Sequence, residues 1–134
     1  MSKLSNSDII AKTKGDFMII ELDDSNFENE TKNGLKLVEF YTTWCSYCTK
    51  QRIELEELKD SDMWIGIVDC EESPKIAQKF EVKGFPTFML LKDGEKIAEF
   101  AGFHQKAQLL NKLRRYHGQN VILQYINCLL LPLN

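Results

Sequence analysis

The sequence has too few cysteines for a disulfide-stapled scaffold. It carries four in 134 residues, Cys45, Cys48, Cys70 and Cys128, where a small exported domain held by cross-links would carry more. It also lacks a basic excess. Its 17 Lys and Arg stand against 20 Asp and Glu, a formal charge of -3. A generic nucleic-acid surface needs clustered positive charge to collect phosphates, so that class of partner is not expected. No apolar run approaches the roughly 20 residues of a bilayer-spanning helix, so membrane association is not expected either. Between Met1 and Lys14 only Leu4, Ile9 and Ile10 are sizeable apolar side chains. The compact apolar core of a secretory signal is missing, which makes the cytosol the expected location.

What is present is the composition of an ordinary globular chain, 43% hydrophobic and 28% charged, in a length that holds one domain. We place that domain at residues 16–118. A polar extension covers 1–15, and an apolar extension containing Cys128 covers 119–134. There is no internal repeat. The tail is too short and interrupted for a span, and core cover or self-association suits it better. The oligomeric state is left open.

Periodicity and turn chemistry predict the order β-α-β-α-β-α-β-β-α. A first strand at 17–22 leads through Asp23-Asp24-Ser25-Asn26 to a short helix at 25–31. Residues 35–41 carry apolar side chains on both faces, as a central strand covered on both sides does, with Glu39 the exception. From Ser46 to about Lys59 there is neither proline nor glycine and most residues favour helix, with Cys48, Arg52, Leu55 and Leu58 on one face. A strand at 63–68, a short helix from Pro74 to Phe80 and a strand at 87–91 follow. Lys92-Asp93-Gly94-Glu95 marks a hairpin to a strand at 96–100. A helix from about Gln105 to Tyr116 closes the order, with Gly118 placed to end it. The fold class is α/β, a central mixed sheet flanked by helices.

Cys45-Ser46-Tyr47-Cys48 admits three readings: an incidental structural pair, half of a zinc site, or a redox centre. Zinc needs further ligands, and Cys70, Cys128, His104 and His117 are scattered along the chain. The redox reading has a local physical case. Cys45 ends a strand and begins a helix, where backbone donors and the helix dipole favour a thiolate. Cys48 lies nearly one turn on, within reach to resolve a mixed disulfide. Attack is therefore assigned to Cys45 and resolution to Cys48. Cys70 is expected to be buried and non-catalytic, and His104 and His117 to be surface or helix-end residues.

The segment Val38 to Cys48 resembles the active-site segment of thioredoxins and protein disulfide isomerase domains. Val68-Asp69 and the stretch from Phe80 to Leu91 resemble two further segments of that superfamily in the same order, so the likeness covers roughly Phe17 to Tyr116. By this resemblance Pro86, in Gly84-Phe85-Pro86-Thr87, is a cis-proline facing the cysteines. Phe85 then offers backbone hydrogen bonds to an extended substrate, and Trp44, Tyr47 and Phe85 form an apolar rim. Glu39 matches the family's buried carboxylate; burial is expected to raise its pKa and let it relay a proton when Cys48 attacks.

Several residues depart from the family pattern. Ser46-Tyr47 replaces the usual dipeptide and is expected to tune the redox potential, where about 30 mV corresponds to about 1.4 kcal/mol. The interval from Cys48 to Asp69 is short and lacks the proline that commonly kinks the active-site helix. Ile65 falls near the position of a lysine found in many thioredoxins, so a Glu39–lysine pair is expected to be missing. The implied function is a dithiol oxidoreductase acting on protein disulfides and recycled by an external dithiol donor or a thioredoxin-reductase-like partner. It requires no metal, flavin or nicotinamide. The rival readings are a disulfide oxidase or isomerase, a glutaredoxin-like enzyme, and a binding or chaperone-like module on the same fold.

Overall fold

The computed structural model describes residues 18–60 and 63–120. The expectations for residues 1–15, for Cys128 and for the apolar stretch 121–134 lie outside the described residues. Two compact units divide the chain, the first ending at Phe103 and the second beginning at His104.

In the first unit, strand β1 (Met18–Leu22) precedes helix α1 (Phe27–Thr31), strand β2 (Leu35–Tyr41) and helix α2 (Ser46–Glu56). A 3-10 turn (Glu57–Asp60), β3 (Trp64–Asp69) and α3 (Pro74–Lys79) follow, then β4 (Thr87–Lys92) and β5 (Glu95–Ala101). The sheet order is β1-β3-β2-β4-β5. β3 runs parallel to both β1 and β2, whereas β4 is antiparallel to β2 and β5. This is the mixed sheet expected, with β5 at its edge. The active-site helix differs from expectation in its last turn. It tightens to 3-10 geometry after Glu56 instead of running on to Lys59, the amide of Glu57 turning back to carbonyls of the preceding turn.

Local turn chemistry sets the connections. Asp23 Oδ1 accepts the amides of Ser25 and Asn26 at 2.9 and 3.0 Å, bending the chain into α1. Asp93 and Gly94 both take positive φ, 50° and 88°, the combination a two-residue hairpin of the primed type demands. Asp93 also accepts the Gly34 amide at 2.7 Å, tying this hairpin to the turn before β2.

β2 is covered on both faces, as its composition implied. Val38 and Phe40 join Leu22, Phe27, Val68, Ile76, Met89 and Leu91 in one core, with Phe80 packed against it from the loop after α3. On the other face, Leu37 and Glu39 sit in register with Ile65 and Ile67 of β3 and with Leu90 and Phe88 of β4. Helix α2 lies on this second face and buries Cys48, Gln51 and Leu55.

In the second unit, helix α4 spans Lys106–Asn120. Its first turn is closed by the Gln105 amide donating to Gln108 Oε1 at 2.7 Å. It carries on through Gly118, where the sequence placed its end. A glycine weakens a helix by about 1 kcal/mol but stops it only when it turns left-handed. His104, expected at the surface or a helix end, lies two residues before α4 and is buried; the short stretch before α4 has no periodicity from which its burial could be read.

Gly66 sits in the middle of β3, between Ile20 of β1 and Val38 of β2. A Cβ there would lie 2.5 Å from Leu22 Cδ1 and 3.0 Å from the Trp64 ring. Leu22 is itself buried and has little room to yield. Gly66→Ala is expected to cost about 1–3 kcal/mol, read as a lower urea midpoint at unchanged slope. An unchanged midpoint would mean that Leu22 repacks freely.

Candidate active site

Register gathers the site at one end of the sheet. Phe40 pairs with Thr87 and Tyr41 with Asp69, and Thr87 pairs in turn with Ala101. The chain therefore leaves β2 toward Cys45 where β3 ends before Cys70, where β4 begins after Pro86, and where β5 ends near Phe103. Four loops converge on one spot although their residues are far apart in sequence.

Cys45 is the N-cap of α2, and its backbone is extended. Its Sγ accepts the Cys48 amide at 3.2 Å, and its thiol faces the Phe85 carbonyl at 3.7 Å. A sulfur at a helix N-terminus that already receives a backbone N–H is well placed to hold negative charge. Cys45 is half-buried and Cys48 buried, and both are free thiols. Burial, followed by the hydrogen bond with the Cys45 side chain, pushes the Cys48 thiol up to about 12. The two sulfurs thus differ in access: one reaches solvent and the other lies behind it.

The Phe85–Pro86 peptide is cis. Its loop is fastened twice, by the Thr87 hydroxyl donating to the Gly84 carbonyl at 2.7 Å and by the Gly102 amide donating to the Pro86 carbonyl at 2.9 Å. Trp44 is 67% exposed yet held at both ends. Its indole N–H donates to Glu71 Oε2 at 2.8 Å, and its ring meets Phe85 edge-on at 6.1 Å between centroids. Tyr47 is exposed, with Phe103 at 6.4 Å on one side and the Lys50 ammonium 5.5 Å from its ring centre. Ser46 is exposed beside it. Phe103 and Glu71 were not singled out in the sequence; only the register that brings the loops together reveals them.

Beneath the cysteines, Glu39 has no exposed surface, and neither carboxyl oxygen has a hydrogen-bond partner among the described residues. Burial raises its pKa to about 7, with Arg52 pulling in the opposite direction. The Arg52 Nη2 lies 3.8 Å from Glu39 Oε1, and its guanidinium stands over the Tyr41 ring at 5.0 Å. Arg52 keeps the helix face it was expected to share with Cys48, Leu55 and Leu58, and there it meets a charge; Gln51, not expected on that face, is buried as well. In β3, Ile67 is the register partner of Glu39, while Ile65 stands opposite Leu37. Both are apolar, so the cation comes from the helix and not from the strand.

Cys70 is buried, as expected, and burial and the charge of Asp69 push it up to about 12. No group of three metal-ligating side chains occurs among the described residues.

Comparison with known proteins agrees with this geometry. The family model described as Thioredoxin matches residues 18–115. A thioredoxin of Staphylococcus haemolyticus is 39% identical over 101 residues, 73% of this chain and 97% of that one. A thioredoxin of Listeria monocytogenes is 33% identical over 102 residues, 74% and 99% of the two chains. Among solved structures, a mutant thioredoxin from Halobacterium salinarum superposes with a TM-score of 0.69 at 24% identity, covering 79% of this chain and 96% of that one. That likeness bears on the fold.

The raised carboxyl makes stability depend on pH. Unfolded, Glu39 ionises near 4.5; folded, near 7. Between those values the native state keeps a proton that the unfolded chain has released, so stability falls as pH rises through the window. The full loss is about 3 kcal/mol. Urea midpoints below 4.5 and above 7 should show this fall in the natural chain and not in Glu39→Gln. Equal pH dependence in both proteins would mean that the carboxyl ionises in the ordinary range.

Proposed function

This chain belongs to the thioredoxin family and is a thiol–disulfide oxidoreductase, and we propose that Cys45 is its attacking thiol and Cys48 its resolving thiol. The observation that carries these roles is the difference in access and hydrogen bonding between the two sulfurs. Cys45 is half-buried at the start of α2 with a backbone N–H on its sulfur, and Cys48 is buried behind it with its proton strongly held. The family implies protein disulfides as substrates and a reductase as partner.

In the reducing direction, the Cys45 thiolate attacks one sulfur of the substrate disulfide. That S–S bond breaks, the far sulfur leaves as a thiolate and takes a proton, and a Cys45–substrate mixed disulfide remains. Cys48 then gives its proton to the Glu39 carboxylate and attacks the Cys45 sulfur. The Cys45–Cys48 bond forms as the Cys45–substrate bond breaks, and the second substrate sulfur leaves as a thiolate and takes a proton, while Glu39 gives up the one it received. Two electrons have passed to the substrate, and an external dithiol or thioredoxin-reductase-like partner returns them to the pair.

The proton step has a physical logic. Besides burial, Cys48 is held protonated by its hydrogen bond with Cys45, by Cys45 charge and by the charge of Glu39. The two Cys45 contributions end once that sulfur is in a mixed disulfide, which leaves burial and the Glu39 charge. The Cys48 proton is then held less strongly, beside a carboxyl raised to about 7. Proton release is thereby favoured at the stage that needs it.

Exposed Trp44 and Tyr47 with partly buried Phe85 supply an aromatic rim around Cys45, and the Phe85 carbonyl facing the sulfur supplies a backbone acceptor for an extended chain. Pro86 shapes that loop, and Ser46 with Tyr47 sets the local environment of the pair. No described helix is long and apolar enough to cross a membrane. A reducing compartment such as the cytosol suits a dithiol with this role.

Single substitutions test the assignment. Cys45→Ser and Cys48→Ser are both expected to lose turnover on a protein disulfide by a factor of about 10³ or more. Cys48→Ser should accumulate a mixed disulfide on Cys45, while Cys45→Ser should trap nothing. Trapping on Cys48 instead would reverse the roles, and undiminished turnover in both variants would remove the redox assignment.

A further inference from the structure

We propose that Arg52 is a positioning residue for the second thiol: carried four residues beyond Cys48 on the same helix, its guanidinium holds the Glu39 carboxyl in the ionised form that receives the Cys48 proton. This rests on the roles of Cys45 and Cys48 given above.

Among the described residues, the surroundings of Glu39 leave this work to one. Its register partners on either side, Ile67 and Phe88, are apolar. The titratable or charged groups acting on it are Arg52 and Cys48 from α2 and Cys70 from the end of β3. Among the described residues, only Arg52 of these carries positive charge. At 3.8 Å the pair is beyond a good hydrogen bond, and both carboxyl oxygens and the Arg52 Nε lack hydrogen-bond partners among the described residues. The interaction is therefore Coulombic, acting on the charge state of the carboxyl more than on its direction.

The arginine is itself fixed. Its guanidinium lies over the Tyr41 ring at 5.0 Å, and the Tyr41 hydroxyl donates to Glu21 Oε2 at 2.9 Å, so the ring beneath the arginine is itself tethered. With 32% of its side chain exposed, Arg52 keeps part of its hydration while its charge reaches the buried carboxyl. A carboxyl can accept a proton only when it has already lost its own. An opposite charge at this range lowers the pKa of a carboxyl by roughly 1–3 units, which brings ionisation of Glu39 down toward neutral pH.

The test compares Arg52→Met and Arg52→Gln, which both remove the charge, with Arg52→Lys, which keeps it. Two quantities are read: the titration of the Glu39 carboxyl carbon by NMR in the reduced protein, and the pH profile for release of a preformed mixed disulfide on Cys45. Loss of the charge is expected to move both midpoints up by roughly one pH unit or more, and lysine to recover most of the shift. In a Glu39→Gln background, Arg52→Met should leave the release profile where it was. An unmoved carboxyl titration in both neutral variants would overturn the inference, as would an equal kinetic shift in the Glu39→Gln background. The underlying redox assignment fails on a different result, the absence of a trapped mixed disulfide in Cys48→Ser.

Discussion

The pairing of Phe40 with Thr87 across antiparallel β2 and β4 is the constraint on which the site depends. It places the start of β4 beside the end of β2, and so sets the cis-proline loop against the first cysteine. It also fixes which side of the sheet each β2 residue faces. A slip of one residue would turn Glu39 into the core occupied by Val38 and Phe40 and would carry the Phe85 carbonyl away from Cys45. The turns at both ends defend the register. Gly34 and Asp93 are bonded to each other at the far end of the pair, and Thr87 holds Gly84 at the near end.

On that frame the electrostatics form a layered arrangement. The exposed layer is the Cys45 sulfur with its amide donor, the next is the strongly protonated Cys48, and the deepest is an unsolvated carboxyl whose compensation is incomplete. A fully satisfied carboxylate at this depth would stay ionised across the working range, and a carboxyl without a cation would stay protonated. Partial compensation by a half-exposed arginine leaves it between those limits, near 7. The stability lost in burying such a group is the kind of local inconsistency that functional sites carry.

Much of this was legible in the sequence because the signals are local. Alternation in Leu35–Tyr41, the Asp93-Gly94 turn, Pro74 in a first helical turn and a cysteine between strand and helix each announce themselves within a few residues. Glu39 stood out as the one charge in a two-sided apolar strand, and its burial followed. The rest required the placement of one element on another. Helical spacing put Arg52 on the face of Cys48 but could not say that β2 would offer it a carboxyl. It gave no sign that Gln51 would be buried and Ile53 exposed. The strand facing Glu39 was likewise misjudged by two residues, Ile65 for Ile67, a shift that keeps the same face and so leaves no trace in the hydrophobic pattern. Phe103 and Glu71 belong to loops whose meeting is decided by sheet order alone.

The tether on Trp44 has a consequence for breadth of recognition. Its single donor is committed to Glu71, and its edge rests on Phe85, so what it offers outward is a rigid aromatic face. A polypeptide laid across that face is met by area and shape, with no side-chain hydrogen bond from the indole to select one residue over another. The backbone at Phe85 would add a contact that every extended chain can answer alike, while Tyr47 and Lys50 bring the polar groups on the far side of the rim. On the roles proposed above, such a surface would trade fine discrimination for generality, favouring an accessible strand with a sulfur in reach over any one sequence around it.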